Sequence, residues 1–487
     1  VLPEIINGLV KSAHIGIGRD GEKCKHSLTY LVSSDEILMI LVGKICEDLC
    51  VIIGVEKLKE SILINIVPEI IETAKSGDSL AFLHSCLILL NKCLACGLHL
   101  VLDHGIISAE GTTLGGDDGI AIAYMLALLD STDIPHPPLE CVFTVDEEIG
   151  MLGAAALDMS VLKGKKLLNI DSEEEGHLLV SCAGGASVTV HFPIHRRGAQ
   201  GDRYLINISG LKGGHSGVEI DKCRANADHL LGRLLKELLL FDDSMRVITV
   251  RGGLKDNAIP VSSEAAIITK RGNELSSKID DFLDILKNEY GETDPDINIK
   301  LTKVTDISSK SIYPLDEAEN LSFIMAYSSF PNGIRSMSQD IEGLVETSLN
   351  LGIMDTFSNE ITMTFSVRSS VKKKKDALIE EIITIAKSAG ATFEIKGDYP
   401  AWEYKHDSVL RDIMTSEYEA MYEKEMIVEA IHAGVECGLF ANAIDGLDAI
   451  SFGPDMLDIH TPKERLYVDS AARTWEYIKR VLIRLCK

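Results

Sequence analysis

Residues 111–129 read GTTLGGDDGIAIAYMLALL, a glycine-rich turn carrying two adjacent aspartates that runs directly into an apolar helix-length stretch. From Ile120 to Leu129 the apolar residues occupy more than one helical face, so the segment predicts a helix buried on both sides. Beyond it lies a short apolar run, Cys141–Val145, that meets Asp146, Glu147 and Glu148 at once. A second run, Leu167–Ile170, ends in Asp171, and a third, His177–Cys182, reaches Gly184 and Gly185. Strands alternating with helices, each strand closing on an acidic or glycine-rich loop, predict an α/β layered sheet.

Further along, the pattern changes. After about residue 187, alternating strands such as Tyr204–Ile208, a long helix near Arg224–Leu240 and strands near Arg246–Arg251 and Ala265–Lys270 predict an inserted α+β unit. Ile361–Val367 leads through Arg368 to the lysine run Lys372–Lys375, which reads as the solvated start of a helix ending near Ala389. Beyond Thr392 the strand and helix alternation resumes, and Val468–Leu485 is amphipathic. Toward the N-terminus, residues 1–97 read as a helical segment, with apolar helix-length stretches such as Ile37–Ile53. Gly16–Gly21 has the GxGxxG spacing but neither a clear strand before it nor a helix after it, so it reads as a plain loop. Cys93, Cys96 and His99 have no second ligand pair and read as part of an apolar helical stretch with buried thiols.

A chain of 487 residues is long enough for about three domains. Its 48 Lys and Arg against 74 Asp and Glu give a net charge of −26, a field that argues against nucleic acid and anionic membrane surfaces as partners. The 11 cysteines, odd in number and irregularly spaced, point to free thiols in a reducing compartment. Val1–Glu4 lacks the basic start and apolar core of a signal peptide, and polar residues His84, Asn91, Lys92 and His99 interrupt the greasiest stretch, Phe82–Leu102. The expectation is a cytoplasmic protein without a membrane span.

In an open α/β sheet, ligands bind beyond the carboxyl ends of the strands, which is where Asp117, Glu147, Glu148 and Asp171 fall. Each acid has a plain reading as a helix cap, a favourable charge at a helix N-terminus or a hydrated turn. Converging on one sheet edge, however, they would repel one another unless cations or protons compensated them. Zinc accepts carboxylate and imidazole ligands, and two zincs sharing a bridging carboxylate would acidify a water and stabilise a tetrahedral oxyanion. One acid must then stay free as general base, and adjacent Glu147 and Glu148 point in different directions on leaving a strand. His460, in a loop after the apolar strand near Ala449–Phe452, is the best nitrogen ligand.

The segments GTTLGGDDGI (111–120), DEEIGMLGA (146–154), NIDSEEEG (169–176), CAGG (182–185), GLKGGHSGVEI (210–220), GGLKDNAIP (252–260), VETSLNLG (345–352), IHAGVECGLF (431–440) and ISFGP with the later IHTP (450–462) stand in one order. From about Leu98 to the C-terminus the chain resembles the aminoacyl-histidine dipeptidase family, also called cytosol non-specific or Xaa-His dipeptidases, among the co-catalytic zinc peptidases. The resemblance implies a mixed sheet flanked by helices, with catalytic parts at 98–186 and 395–487 and a lid and dimerisation domain at 187–394. It implies Asp117 as the carboxylate bridging two metals, Glu147 as general base, Glu148 and Asp171 as ligands of one metal each, and His460 as the imidazole ligand. By the same resemblance His215 would reach the active site of the opposite subunit and polarise the scissile carbonyl. Asn257 and Arg368 would meet the substrate, Arg368 at its free carboxylate, and Gly434 and Glu436 would shape the site. Family members also carry a His-x-Asp motif some tens of residues before the bridging aspartate. No such motif precedes Gly111 here; His84–Cys86 is nearest in position.

These readings lead to a cytoplasmic, homodimeric metallodipeptidase acting on small peptides, Xaa-His dipeptides included. The resemblance implies two Zn2+, the missing motif argues for one, and Mn2+ or Co2+ are alternatives. Two other functions stay open: a catalytically impaired dimeric binding or scaffold protein, and a related deacetylase or aminoacylase on the same metal frame.

Overall fold

The computed structural model describes residues 99–305 and 313–487 and, before them, the backbone of the strand Met39–Ile45. Gly16–Gly21, His84–Cys86, Cys93 and Cys96 lie outside the described residues. The chain divides into two compact units, Val1–Ser181 with Tyr404–Ala430 and Val435–Lys487, and Cys182–Glu403 with Ile431–Gly434.

Unit one begins with β1 (Met39–Ile45), then the hairpin β2 (Leu100–Asp103) and β3 (Ile106–Ala109). There follow α1 (Gly116–Asp130), β4 (Leu139–Val145), α2 (Leu152–Ala156), β5 (Lys166–Asn169) and β6 (His177–Cys182). One expectation is corrected here. The Ile37–Ile53 stretch, read as helical, contains β1, which pairs in parallel with both β4 and β5. A strand in the middle of a parallel sheet has no solvent face, so its sequence loses the two-residue alternation and becomes indistinguishable by period from a buried helix. Length was the misleading signal: the apolar stretch is longer than the strand inside it.

Unit two contains β7 (Gly184–Pro193), β8 (Asp202–Ser209), β9 (Gly214–His215), α3 (Ala227–Phe241), β10 (Arg246–Gly252), β11 (Ala258–Ile259) and β12 (Ser263–Thr269). It continues with α4 (Gly272–Tyr290), β13 (Asn298–Lys303), α5 (Glu317–Tyr327), β14 (Gly333–Met337), β15 (Val345–Thr356), β16 (Glu360–Ser369), α6 (Lys372–Ser388) and β17 (Thr392–Tyr399). An antiparallel sheet runs β13-β8-β12-β10-β15-β16-β7-β17, with β14 on β15, and β9 and β11 form a separate ribbon. Along β16, Ile361, Met363, Phe365 and Val367 are buried while their neighbours are half-exposed, the period of two that one covered face imposes. Leu275, Ile279, Phe282 and Leu286 make the matching stripe on α4, and Leu230, Leu234 and Leu238 do so on α3.

The lysine run also departs from expectation. Lys375 is buried, pairs with Asp398 and donates to the Tyr399 carbonyl at 2.8 Å, while Lys374 pairs with Glu346. Lys375 lies one helical turn before the buried Leu378 and Ile379, so it falls on the inward stripe of α6. The stem is covered, and Asp398 supplies the opposing charge.

Back in unit one come α7 (Val409–Tyr422), β18 (Ile427–Ile431), α8 (Cys437–Ala443), β19 (Asp448–Ser451), β20 (Met456–Leu457), β21 (Arg465–Tyr467) and α9 (Val468–Leu485). Its main sheet runs β18-β6-β19-β5-β1-β4, and a smaller sheet runs β2-β3-β21-β20. β4, β1, β5 and β19 are mutually parallel, so the loops after them leave from one edge. As the all-round apolar pattern predicts, α1 is buried on several sides. Tyr124 of α1 stacks on Trp475 of α9 at 5.7 Å and donates to the Ala471 carbonyl at 2.6 Å. No helix among the described residues is long and apolar enough to cross a membrane.

Candidate active site

In unit one, three loops bring Asp117, Glu148 and His460 together. Asp117 lies at the entry to α1. Gly115, just before it, has φ 74°, in the left-handed region that favours glycine. Asp117 itself keeps non-helical backbone angles and turns its carboxylate toward His460. Glu148 follows the carboxyl end of β4, where Asp146 adopts φ 57° and the Glu147 carbonyl accepts the N–H groups of Gly150 and Met151. His460, itself at φ 60°, sits in the loop between β20 and β21.

His460 Nε2 is 2.9 Å from Asp117 Oδ2 and 2.8 Å from Glu148 Oε1. The hydrogen bond that His460 donates to Asp117 and the charge of both carboxylates push the imidazole up to about 9. One ligand atom from each residue lies within 4.8 Å of the other two, a spread that a divalent ion with bonds of about 2.0–2.2 Å closes by small rotations. Two carboxylates and an imidazole suit zinc and other borderline divalent cations. The residues present therefore fit one ion. Asp171 is not part of this group of three; it lies half-buried two residues past β5, and Glu147 is half-buried beside Glu148.

The sequence reading missed Glu464. Its buried carboxylate accepts the backbone N–H groups of Leu114, Gly115, Gly116 and Asp117 at 2.8, 2.9, 2.8 and 3.1 Å. Four donors that a helix entrance would otherwise leave unpaired thus converge on one charge, and the loop carrying Asp117 is tied to the loop carrying His460. A buried Glu436 accepts from Thr144 Oγ1 at 2.8 Å, bracing the end of β4 just before Glu147. At the edge of the neighbouring strand, Gly453 lets the Ser172 backbone approach; a Cβ there would lie 1.7 Å from the Ser172 carbonyl oxygen.

In unit two, His215 and Asn257 share one ribbon, Ala258 pairing with His215 and the Asn257 carbonyl accepting from Ser216 N at 2.8 Å. The N–H groups of Gly217 and Val218 both donate to His215 Nδ1, at 3.1 Å each. That nitrogen is an acceptor, so the proton of the neutral ring sits on Nε2. Burial first and the Arg368 charge second hold His215 below its ordinary value. The buried Asn350 amide donates to the carbonyls of Asp256 and Ala258 at 3.0 and 2.9 Å, gripping the backbone on either side of the exposed Asn257. Arg368 is half-buried on β16, opposite Gly185 of β7, and Nη1 donates to the Tyr399 hydroxyl at 3.2 Å. Gly434 closes the short segment Ile431–Gly434 that belongs to this unit.

Residues 98–484 match the family described as peptidase family M20/M25/M40. The chain is 34% identical over 389 residues to the cytosol non-specific dipeptidase of Escherichia coli K12, covering 78% of each protein. It is similar to the crystal structure of aminoacylhistidine dipeptidase from Vibrio alginolyticus, with TM-score 0.75 and 35% identity over 80% of this chain and 79% of that one. Peptidase T of Citrobacter koseri is 31% identical over 130 residues, 26% of this chain and 31% of that protein. With the mixed α/β architecture, the acidic loops at the edge of a parallel sheet and a match that spans the catalytic segments from end to end, this chain is a member of peptidase family M20/M25/M40, a family of hydrolases.

Proposed function

We propose that the protein is a metal-dependent dipeptidase, hydrolysing small peptides with a free carboxylate, Xaa-His dipeptides among them. The observation that carries this reading is the convergence of Asp117, Glu148 and His460 from distant parts of the sequence. The names of the relatives, a non-specific dipeptidase and an aminoacylhistidine dipeptidase, supply the substrate class.

Asp117, Glu148 and His460 would hold one Zn2+, with Mn2+ and Co2+ as alternatives, and Asp117 with Asp171 would provide carboxylates for a second. When bound, the metal supplies Lewis acidity that polarises a carbonyl and acidifies water. The rest is the work of the chain. Glu147 takes the proton of the attacking water and delivers it to the leaving amine, so no covalent enzyme intermediate forms. His215 donates from Nε2 to the carbonyl oxygen as negative charge develops there. Arg368 pairs with the substrate carboxylate, Asn257 meets its polar groups, and the lack of a side chain at Gly434 leaves its backbone open to the substrate. Residues 187–394 act as lid and dimerisation domain of a homodimer, and the cytoplasm is the compartment. The free thiols of Cys141, Cys223 and Cys486 suit that reducing environment.

Glu147→Gln is the test. It lowers kcat by on the order of 10²–10⁴ with metal content unchanged. Turnover within a few-fold of wild type removes Glu147 from the base role, and a preference for N-acetyl amino acids over Xaa-His dipeptides replaces the dipeptidase with an aminoacylase.

A further inference from the structure

His432 is buried in the same unit as Arg368, and no role has been given to it so far. Its Nε2 lies 2.7 Å from Ser348 Oγ, and Ser348 is fully buried on β15 directly across from Arg368 on β16. Cross-strand partners project from the same face with Cβ atoms about 4.5–5.5 Å apart, so the serine, the guanidinium and the imidazole form one polar cluster. Burial first and the Arg368 charge second push His432 down to about 3, which makes the ring neutral at physiological pH. The Val345 backbone is the group that favours a proton on the ring, and it contributes less than burial does.

Across this contact either Ser348 Oγ or His432 Nε2 donates, according to the ring tautomer. An acid in place of His432 would neutralise Arg368, and a charged imidazole would repel it; the neutral ring does neither. The guanidinium has one hydrogen bond among the described residues, to Tyr399, and its Nε is buried without a partner. Two glycines allow the arrangement. A Cβ at Gly185 would fall 2.5 Å from the Tyr399 hydroxyl, and one at Gly217 would fall 2.7 Å from the His432 carbonyl oxygen and 2.9 Å from the His215 ring. Tyr399 therefore lies flat over Gly185, and the His432 backbone comes up against the turn that carries His215.

We propose that His432 is a positioning residue which, through Ser348, fixes Arg368 as an uncancelled single positive charge and so makes the enzyme select substrates by their terminal carboxylate. This rests on the dipeptidase reading above. The test compares one dipeptide with its C-terminal carboxamide in wild type, His432→Leu, His432→Gln and Ser348→Ala. Leucine removes the hydrogen-bond partner at similar size, while glutamine keeps a neutral amide, able to donate or accept, within reach of Ser348. The acid's KM rises by about tenfold or more in His432→Leu and Ser348→Ala with kcat within about threefold, the carboxamide's KM stays put, and His432→Gln stays near wild type. Acid and amide shifting together, or neither shifting, overturns the proposal. Should His432→Leu fail to fold, the same comparison is read from Ser348→Ala and His432→Gln. If the wild type hydrolyses neither compound, the dipeptidase reading fails separately. Calorimetric binding of the two compounds then decides, and an absent acid preference in wild type, or one retained in Ser348→Ala, overturns the positioning role.

Discussion

Unit one and unit two both place histidines among charged groups, and the rings respond in opposite directions. His460 faces two carboxylates and is pushed up to about 9; His432 is buried near a guanidinium and is pushed down to about 3. Nothing in the imidazole differs. In unit one the excess is anionic, and the lone pair of His460 is shared with whatever cation the acids attract, a proton or a metal ion. In unit two burial is the larger cause and the Arg368 charge the smaller, and neutral rings leave that charge uncompensated. On the function proposed above, one unit would hold a metal and the other a carboxylate.

The largest test of this contrast removes one histidine from each unit. His460→Ala takes one of three clustered donors, so metal content falls and activity drops to background. His215→Ala removes a donor to the reacting carbonyl, so kcat falls by about 10²–10³ while metal content by elemental analysis stays at the wild-type level. Equal metal loss in both variants would dissolve the division of labour. Glu464→Gln is the next smaller effect. The amide keeps one acceptor oxygen and turns an N–H toward donors that need an acceptor, which destabilises by about 2–3 kcal/mol. Thermal melting of the metal-free protein measures this. A further loss of metal affinity in that variant would show that the Asp117 loop depends on Glu464 for its shape, whereas unchanged melting would mean that water replaces the carboxylate.

Asp117, Glu148 and His460 were legible because each stands out chemically in a loop beside an apolar run, Asp117 before one and Glu148 and His460 after one. Glu464 left no such trace. Its partners are backbone N–H groups, which every residue has, and the only available hint was an acid four residues beyond His460. Asn350 and His432 were hidden for a related reason: both work inside strand-rich segments, where a polar residue is ordinarily assigned to the solvent face. β1 shows the converse failure, since a strand paired on both edges within a parallel sheet need carry no alternation to read. Lys375 sat in a run of four lysines whose charge argued for solvent, but helical period governs which of the four turns inward. In each case the missing information was the partner, and partners distant in sequence appear only when the chain is folded.

The last test concerns how stability depends on pH. His432 has an ordinary value of 6.5 when the chain unfolds and about 3 when it is folded, so between those values the unfolded state holds a proton that the folded state lacks. Stability therefore rises with pH across that window. The contribution is fully present above 6.5 and is lost as pH falls toward 3, at up to about 1.4 kcal/mol per pH unit. Urea midpoints from pH 7 to pH 4 test this: wild type loses stability more steeply than His432→Gln, whose side chain does not titrate, while the carboxylates common to both proteins contribute equally. Parallel curves would mean that His432 gains its proton without unfolding the corner. The neutral imidazole next to Arg368 would then be a property of neutral pH alone, and carboxylate selection should weaken in acid as the ring gains its charge.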